Sequence, residues 1–326
     1  ENGFDAFELN FAANNLGQSF FSRARNNRTD EYGPQTIDSR CKFAEEVVSG
    51  LKKECGKDFI VQVLINGVEE NDRDLGNNDQ YCTIEETIEI AKKMEAAGAD
   101  SLHVRIGPCG QHIAQFAGDL YFACRGFEGF NGYGKRIDFD KHFQGLVRGN
   151  NSGVGLNLDI AAKVKAAVSI PVGCATYNDP AQAPDLFNQA IEEGKVDFLV
   201  MNRPFCVDPE YVNKMRENRL DEIAPCTRCL HCFYDTPADN CNLEHCRVNA
   251  SNFRAYSEVM PEGFDPLPAE TKKKVMVIGG GPAGLEAAMI AAIRGHDVTL
   301  YEKKDTLGGL LGFAEAVKGP HENLGL

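Results

Sequence analysis

The sequence predicts an α/β protein built on parallel strands, and three observations carry that reading. Short apolar runs alternate with helix-spaced segments at roughly 35–45 residue intervals, which implies right-handed crossovers between parallel strands. The runs are largely continuous in apolar character, as expected of strands covered on both faces. Near the end of the chain, a glycine-rich turn joins a β-branched run to an alanine-rich helix.

The elements follow in order. Residues 4–9 read as a strand, followed by a long loop through Asn26 to Asp30. Phe43, Val47, Val48 and Leu51 recur at helical spacing, which predicts a helix over 38–54. Residues 59–65 are a β-branched strand, 84–97 a helix stopped by Gly98, and 102–106 a strand. Residues 107–153 are dense in glycine and lack periodicity, the signature of a long functional loop. A helix near 158–168, a strand at 170–174, a helix from Asp179-Pro180 to about Gly194, a strand at 196–201 and a helix at 208–217 complete the series. Five strands are too few to close a barrel of eight. The residues alone leave two readings, an open doubly wound sheet or a barrel without its first three strands.

Composition limits the function. The 326 residues predict about two domains. Lys and Arg number 34 against 48 Asp and Glu, a net charge of −14. Such a surface repels phosphate backbones and anionic lipid, which argues against nucleic acid and membrane partners. No run of 18 apolar residues is present to span a bilayer. Residues 1–5 show neither an initiator Met nor the basic and apolar regions of a signal peptide, so a cytoplasmic setting is expected.

Of twelve cysteines, seven are scattered and read as small core residues. The other five, Cys226, Cys229, Cys232, Cys241 and Cys246, fall within twenty-one positions. In a reducing compartment such crowding signals metal or redox chemistry. Cys226-x2-Cys229-x2-Cys232 puts three thiols on one tight turn, with Cys246 more distant, a spacing that favours an iron–sulfur cluster. His231 and His245 lie close by and keep zinc open.

The second motif is Gly279-x-Gly281-x-x-Gly284, placed between a strand at 275–278 and a helix. Gly279 makes the turn, Gly281 lets a pyrophosphate approach the backbone, and Gly284 lets helix and strand pack closely. The helix amino terminus faces the phosphates. A further strand, 297–301, ends at Glu302, placed to bind an adenosine ribose.

Together these motifs resemble a family. Ser22, Asn26 and Arg28-Thr29-Asp30-Glu31-Tyr32-Gly33 resemble the segment after strand four of old yellow enzyme barrels, and Asn202-Arg203-Pro204-Phe205 resembles their phosphate motif after strand eight. The cysteine cluster and the glycine-rich domain resemble the branch holding 2,4-dienoyl-CoA reductase, clostridial enoate reductases and trimethylamine dehydrogenase. The resemblance implies strands four to eight of an FMN-binding (β/α)8 barrel over 1–222. It also implies a 4Fe–4S segment over 223–260, a linker over 261–272, and the first βαβ of a Rossmann-like FAD domain over 273–326.

It further implies NAD(P)H as donor, a small unsaturated substrate and a homo-oligomer, with electrons passing from NAD(P)H through FAD and the cluster to FMN. Cys226, Cys229, Cys232 and Cys246 become cluster ligands, since Cys246-Arg-Val-Asn249 resembles the family's distal ligand segment. Arg203 and Asn202, with Ala175 and Thr176, become the FMN phosphate site. Leu307-Gly308-Gly309 resembles the continuation seen in FAD-binding members.

There are departures. The family's His-x-x-His/Asn-x-Tyr after strand four reads Asn10, Ala13 and Asn15 here. Asn10 still donates hydrogen bonds, but Asn15 supplies no proton at neutral pH. The flavin-contacting Arg of strand five is replaced by Leu64, and the paired glycines of the phosphate loop by Ala175 and Thr176. Gly110-Gln111-His112 resembles the segment whose His assists protonation in dienoyl-CoA reductases, which makes His112 the candidate acid.

The expected activity is reduction of an activated C=C bond by a flavin/iron–sulfur ene-reductase. Two alternatives stand beside it: an amine dehydrogenase of the trimethylamine type, and a non-catalytic electron-transfer or assembly subunit. With five barrel strands and one βαβ, the chain is expected to be an internal part of a protein about twice its length.

Overall fold

The computed structural model describes residues 3–13, 15–69, 80–107, 154–175, 178–227, 246–249, 251–252 and 266–318. Two compact units make up the chain, Glu1–Met201 and Asn202–Leu326.

The first unit holds one parallel sheet of β1 (Ala6–Phe11), β2 (Ile60–Glu69), β3 (Ser101–Gly107), β4 (Val172–Cys174) and β5 (Phe198–Leu199), in the order β1-β2-β3-β4-β5. All four neighbouring pairs are parallel. Strict sequential order is that of consecutive strands in a barrel wall. A doubly wound sheet reverses direction at a switch point, and none occurs among these five strands.

The crossovers are α1 (Leu16–Phe21) and α2 (Ile37–Cys55), then α3 (Ile84–Ala96), α4 (Leu158–Lys165) and α5 (Pro184–Glu192). Thr36 caps α2 and Thr83 caps α3, each through a reciprocal capping box with the residue three positions on, Ser39 and Glu86. The helices bury one face of the sheet: Leu9, Val61, Val63, Leu102, Val104 and Val172 pack with Ala44, Val48, Met94 and Ile160 in one core.

Several local expectations change. The loop after β1 contains α1, a helix too short for periodicity to reveal, which is held by burial of Phe21 and Gln18. The helix expected from residue 179 begins at Pro184, because Asp179 and Gln182 form a turn ahead of it and proline suits a first helical position. Strand β5 pairs over two residues only. Strand β3 also alternates, with Leu102, Val104 and Ile106 in the core and His103 and Arg105 on the opposite face.

The second unit begins with α6 (Arg203–Val207), α7 (Tyr211–Arg216) and a single 3₁₀ turn at Leu220–Glu222. It continues after residue 266 with β6 (Lys274–Ile278), α8 (Pro282–Ile293), β7 (Asp297–Tyr301) and α9 (Leu311–Lys318). β6 and β7 are parallel, joined by α8, which makes one βαβ. Among the described residues, no helix is long and apolar enough to cross a membrane.

Candidate functional site

The inner face of the first sheet, away from the helices, carries polar side chains toward the carboxyl ends of the strands. Asn10 of β1 stands in register with Leu64 of β2 and, through it, with His103 of β3. The Asn10 Oδ1 accepts the Ala12 N–H at 3.2 Å, and no bond among the described residues engages its Nδ2. Asn66 lies two residues beyond Leu64, at the start of a β-bulge. Its Oδ1 accepts the Ala13 N–H at 3.1 Å and fixes the turn after β1. Ala13 has φ +58°, a left-handed conformation that costs a residue with a Cβ about 1–2 kcal/mol. The Asn66 bond is one of the contacts that offset this.

Two buried polar atoms on this face have no partner among the described residues: Asn66 Nδ2 and His103 Nε2. The other imidazole nitrogen, Nδ1, pairs with Glu8 Oε2 at 2.9 Å. Buried polar groups in a purely structural core are nearly always paired. Two orphans on one inner face therefore fit a polar ligand seated against it, as a flavin ring would be. Sequence reasoning missed Asn66, His103 and Glu8; the available signal was polar residues at alternate positions of otherwise apolar strands. Leu64 is buried on the same face and offers no charge to a flavin.

The other expected FMN residues fall in different parts of the chain. Ala175 ends β4, its N–H donating to Val104 O at 2.9 Å. Asn202 and Arg203 open the second unit, Asn202 as the N-cap of α6 and Arg203 as its first residue. Thr176 and His112 lie outside the described residues, as do Cys229 and Cys232.

Behind the inner face, Glu69 ends β2, wholly buried. Its carboxylate accepts from Gln18 Nε2 at 2.6 Å, Ser22 Oγ at 3.0 Å and Cys82 N–H at 2.7 Å. Burial pushes its pKa up against the pull of these donors. The group ties α1 and the segment before α3 to the end of β2.

In the second unit, the glycine-rich loop has the form a dinucleotide needs. Gly279 turns with φ +103° and donates its N–H to Tyr301 O at 2.7 Å, clasping β6 to β7. A Cβ on Gly284 would run into the Gly279 carbonyl oxygen, so only glycine permits this packing. A Cβ on Gly281, the N-cap of the twelve-residue α8, would meet open space. Glu302 follows β7 and accepts the Gly280 N–H at 2.6 Å and the Lys304 N–H at 3.0 Å. These backbone donors, Gly280 first, hold its carboxyl below the usual glutamate range and keep it ionised. The open approach at Gly281 and the tight one at Gly284 fit a bound pyrophosphate.

Of the cysteine cluster, Cys226 and Cys246 are described. Cys226 is buried, and Cys246 Sγ accepts the Asn249 N–H at 3.3 Å. A backbone donor on sulfur suits a metal-bound thiolate, so this residue fits the role of cluster ligand. Among the described residues alone, no group of three or more metal-ligating side chains assembles.

Residues 1–110 match the model of the NADH:flavin oxidoreductase / NADH oxidase family, and residues 274–319 match that of FAD dependent oxidoreductases. An NADH oxidase of Thermoanaerobacter brockii is 33% identical over 97% of this chain and 41% of its own length. Residues 1–110 thus carry a domain of the NADH:flavin oxidoreductase / NADH oxidase family. A cinnamate reductase of Clostridium sporogenes, another relative, is 31% identical over 94% of the chain and 41% of its own length. Among solved structures, a 2-naphthoyl-CoA reductase in complex with 2-naphthoyl-CoA aligns with TM-score 0.73 and 28% identity. That alignment covers 99% of this chain and 44% of the reductase. The chain thus spans about two fifths of the length of the curated relatives it matches. The parallel sheet of β1 to β5 agrees with the α/β fold of these relatives.

Proposed function

We propose that this chain carries part of an NAD(P)H-dependent flavin/iron–sulfur ene-reductase. Its substrate would be the activated C=C bond of an enoate, an enoyl thioester or an enone. One observation carries the reading: the inner sheet face, with its orphaned amide and imidazole nitrogens, and the open glycine loop occur in the same chain. The first supports an FMN and substrate site, the second an FAD site. The relatives named cinnamate reductase and 2-naphthoyl-CoA reductase support the substrate class.

Bound flavin would supply the hydride chemistry. The chain's own residues orient and polarise. Asn10 Nδ2 donates to the substrate carbonyl and stabilises the enolate-like charge that develops there. His112 delivers a proton to the α-carbon. Arg203 and Asn202, with Ala175 and Thr176, hold the FMN phosphate. Gly279, Gly281 and Gly284 cradle the FAD pyrophosphate, and Glu302 takes the ribose hydroxyls. Cys226, Cys229, Cys232 and Cys246 ligate a 4Fe–4S cluster. The strand assignment, four to eight of a barrel, and a homo-oligomeric cytoplasmic enzyme belong to the same reading.

The test is anaerobic. Full-length protein is purified, flavin and iron are counted, and NADH is offered with cinnamate or a short enoate. Enoate reduction with two flavins and four irons per chain is expected. Oxidation of methylated amines with a dye acceptor, and no enoate turnover, would place the protein with amine dehydrogenases instead. A colourless protein would favour the non-catalytic reading. His112→Asn is expected to slow enoate reduction and leave NADH-driven flavin reduction intact; equal loss of both sinks the acid role.

A further inference from the structure

Asn249 is more heavily engaged than a residue in a surface turn requires. Its backbone N–H donates to Cys246 Sγ at 3.3 Å. Its side-chain Nδ2 donates to the Cys206 carbonyl at 2.9 Å. Its Oδ1 accepts both the N–H and the hydroxyl of Ser251, at 3.0 and 2.5 Å. Its own carbonyl accepts the Asn252 N–H at 3.2 Å. Cys206, at the carboxyl-terminal half of α6, is itself held: its N–H donates to Asn202 O at 3.0 Å and its thiol to Asn202 Oδ1 at 3.3 Å. The N–H aimed at the sulfur is therefore fixed from two sides, by α6 and by the turn at 251–252.

The chemistry of that N–H depends on what the sulfur carries. A thiolate bound to iron gains negative charge when the cluster is reduced, and a fixed donor stabilises the reduced form more than the oxidised one. We infer that Asn249 is a positioning residue that, through its backbone N–H on Cys246 Sγ, raises the reduction potential of the cluster. The anchor on the Cys206 carbonyl keeps that donor aligned. The inference rests on the proposed role of Cys246 as a cluster ligand. It adds a tuning device outside the four cysteines.

The experiment is an EPR-monitored redox titration of the full-length protein, with iron and flavin counted in each sample. Asn249→Ala removes both side-chain anchors and frees the N–H to drift. A cluster midpoint below wild type, with iron content and flavin midpoints unchanged, is expected. Cys206→Ser keeps the anchoring carbonyl and is expected to leave the cluster midpoint where it is. A wild-type midpoint in Asn249→Ala overturns the inference, as does a shift in Cys206→Ser as large as that in Asn249→Ala. If Asn249→Ala loses iron, Asn249→Ser is measured in its place; a lowered midpoint supports the inference, and a wild-type midpoint or renewed iron loss overturns it. A wild-type protein with no iron–sulfur signal would overturn the cluster reading itself. A normal wild-type signal with unmoved variants would overturn this inference alone.

Discussion

Val61, Val104 and Val172 of the five-stranded sheet are fully buried, whereas Met276 and Ile278 of the two-stranded sheet are 66% and 79% exposed. Both sheets are parallel and both use βαβ crossovers. The first has its helix-facing side covered by α2, α3 and α4, whose apolar stripes close a continuous core. The second has one crossover helix, and none of α8's residues is buried. Nevertheless the second region has the more complete binding motif. A glycine-rich loop is a local object: Gly279, Gly281 and Gly284 need one strand, one turn and one helix. A barrel site is distributed, since Asn10, Asn66 and His103 come from three strands and meet only when those strands pair in register.

The largest expected effect tests the buried side of this contrast. Met94 is fully buried against the first sheet, and Met94→Ala is expected to cost about 2–5 kcal/mol in urea unfolding of the first unit. A loss well under 1 kcal/mol would mean that core is less consolidated than its burial implies. Gly284→Ala comes next. Its methyl must displace the Gly279 carbonyl, and forcing such a contact costs about 1–3 kcal/mol. Loss of bound FAD with FMN retained, counted after purification, is the expected readout; an unchanged FAD count would break the assignment of the loop.

Glu69 sharpens the comparison through pH, since only the first sheet buries a carboxylate this deeply among the described residues. Burial raises its pKa in the folded chain above the ordinary glutamate value of 4.5. The folded state therefore holds the proton more tightly than the unfolded state. The stability gained from that proton is complete below the unfolded value and is lost as pH rises through the raised folded value. Glu69→Gln removes the titration, so the variant should gain on wild type as pH rises from 4.5 through the neutral range in parallel denaturation curves. A constant difference across that range would refute the account.

The smallest effect belongs to the exposed side. Met289 of α8 is 49% exposed, and in the 326-residue chain Met289→Ala is expected to cost about 1 kcal/mol or less. A cost matching that of Met94→Ala would erase the distinction between the two regions.

The legible part of the fold was the part written in local pattern. β7 lies where the strand at 297–301 was expected, and α2 and α3 differ from expectation by one residue at their ends. α1 was not legible, because six residues hold no helical period and its stability comes from Phe21 and Gln18 seated against other elements. The glycine loop and Glu302 could be found from sequence, since their spacing is fixed by one βαβ. Asn66 and Glu69 could not, since their roles depend on partners more than ten residues away.

By itself the sequence determined the chemistry of short-range objects: the cysteine spacing, the glycine loop with its following carboxylate, and the parallel strand rhythm. Only the tertiary structure decided the strand order, which strand faces are polar, and which nitrogens remain unpaired there. It also decided that Asn249 holds the sulfur of Cys246 while anchored on Cys206. The physical reason is range. Turn geometry and ligand spacing are set within a few bonds, whereas register and pairing are set by burying one apolar face against helices that lie tens of residues away.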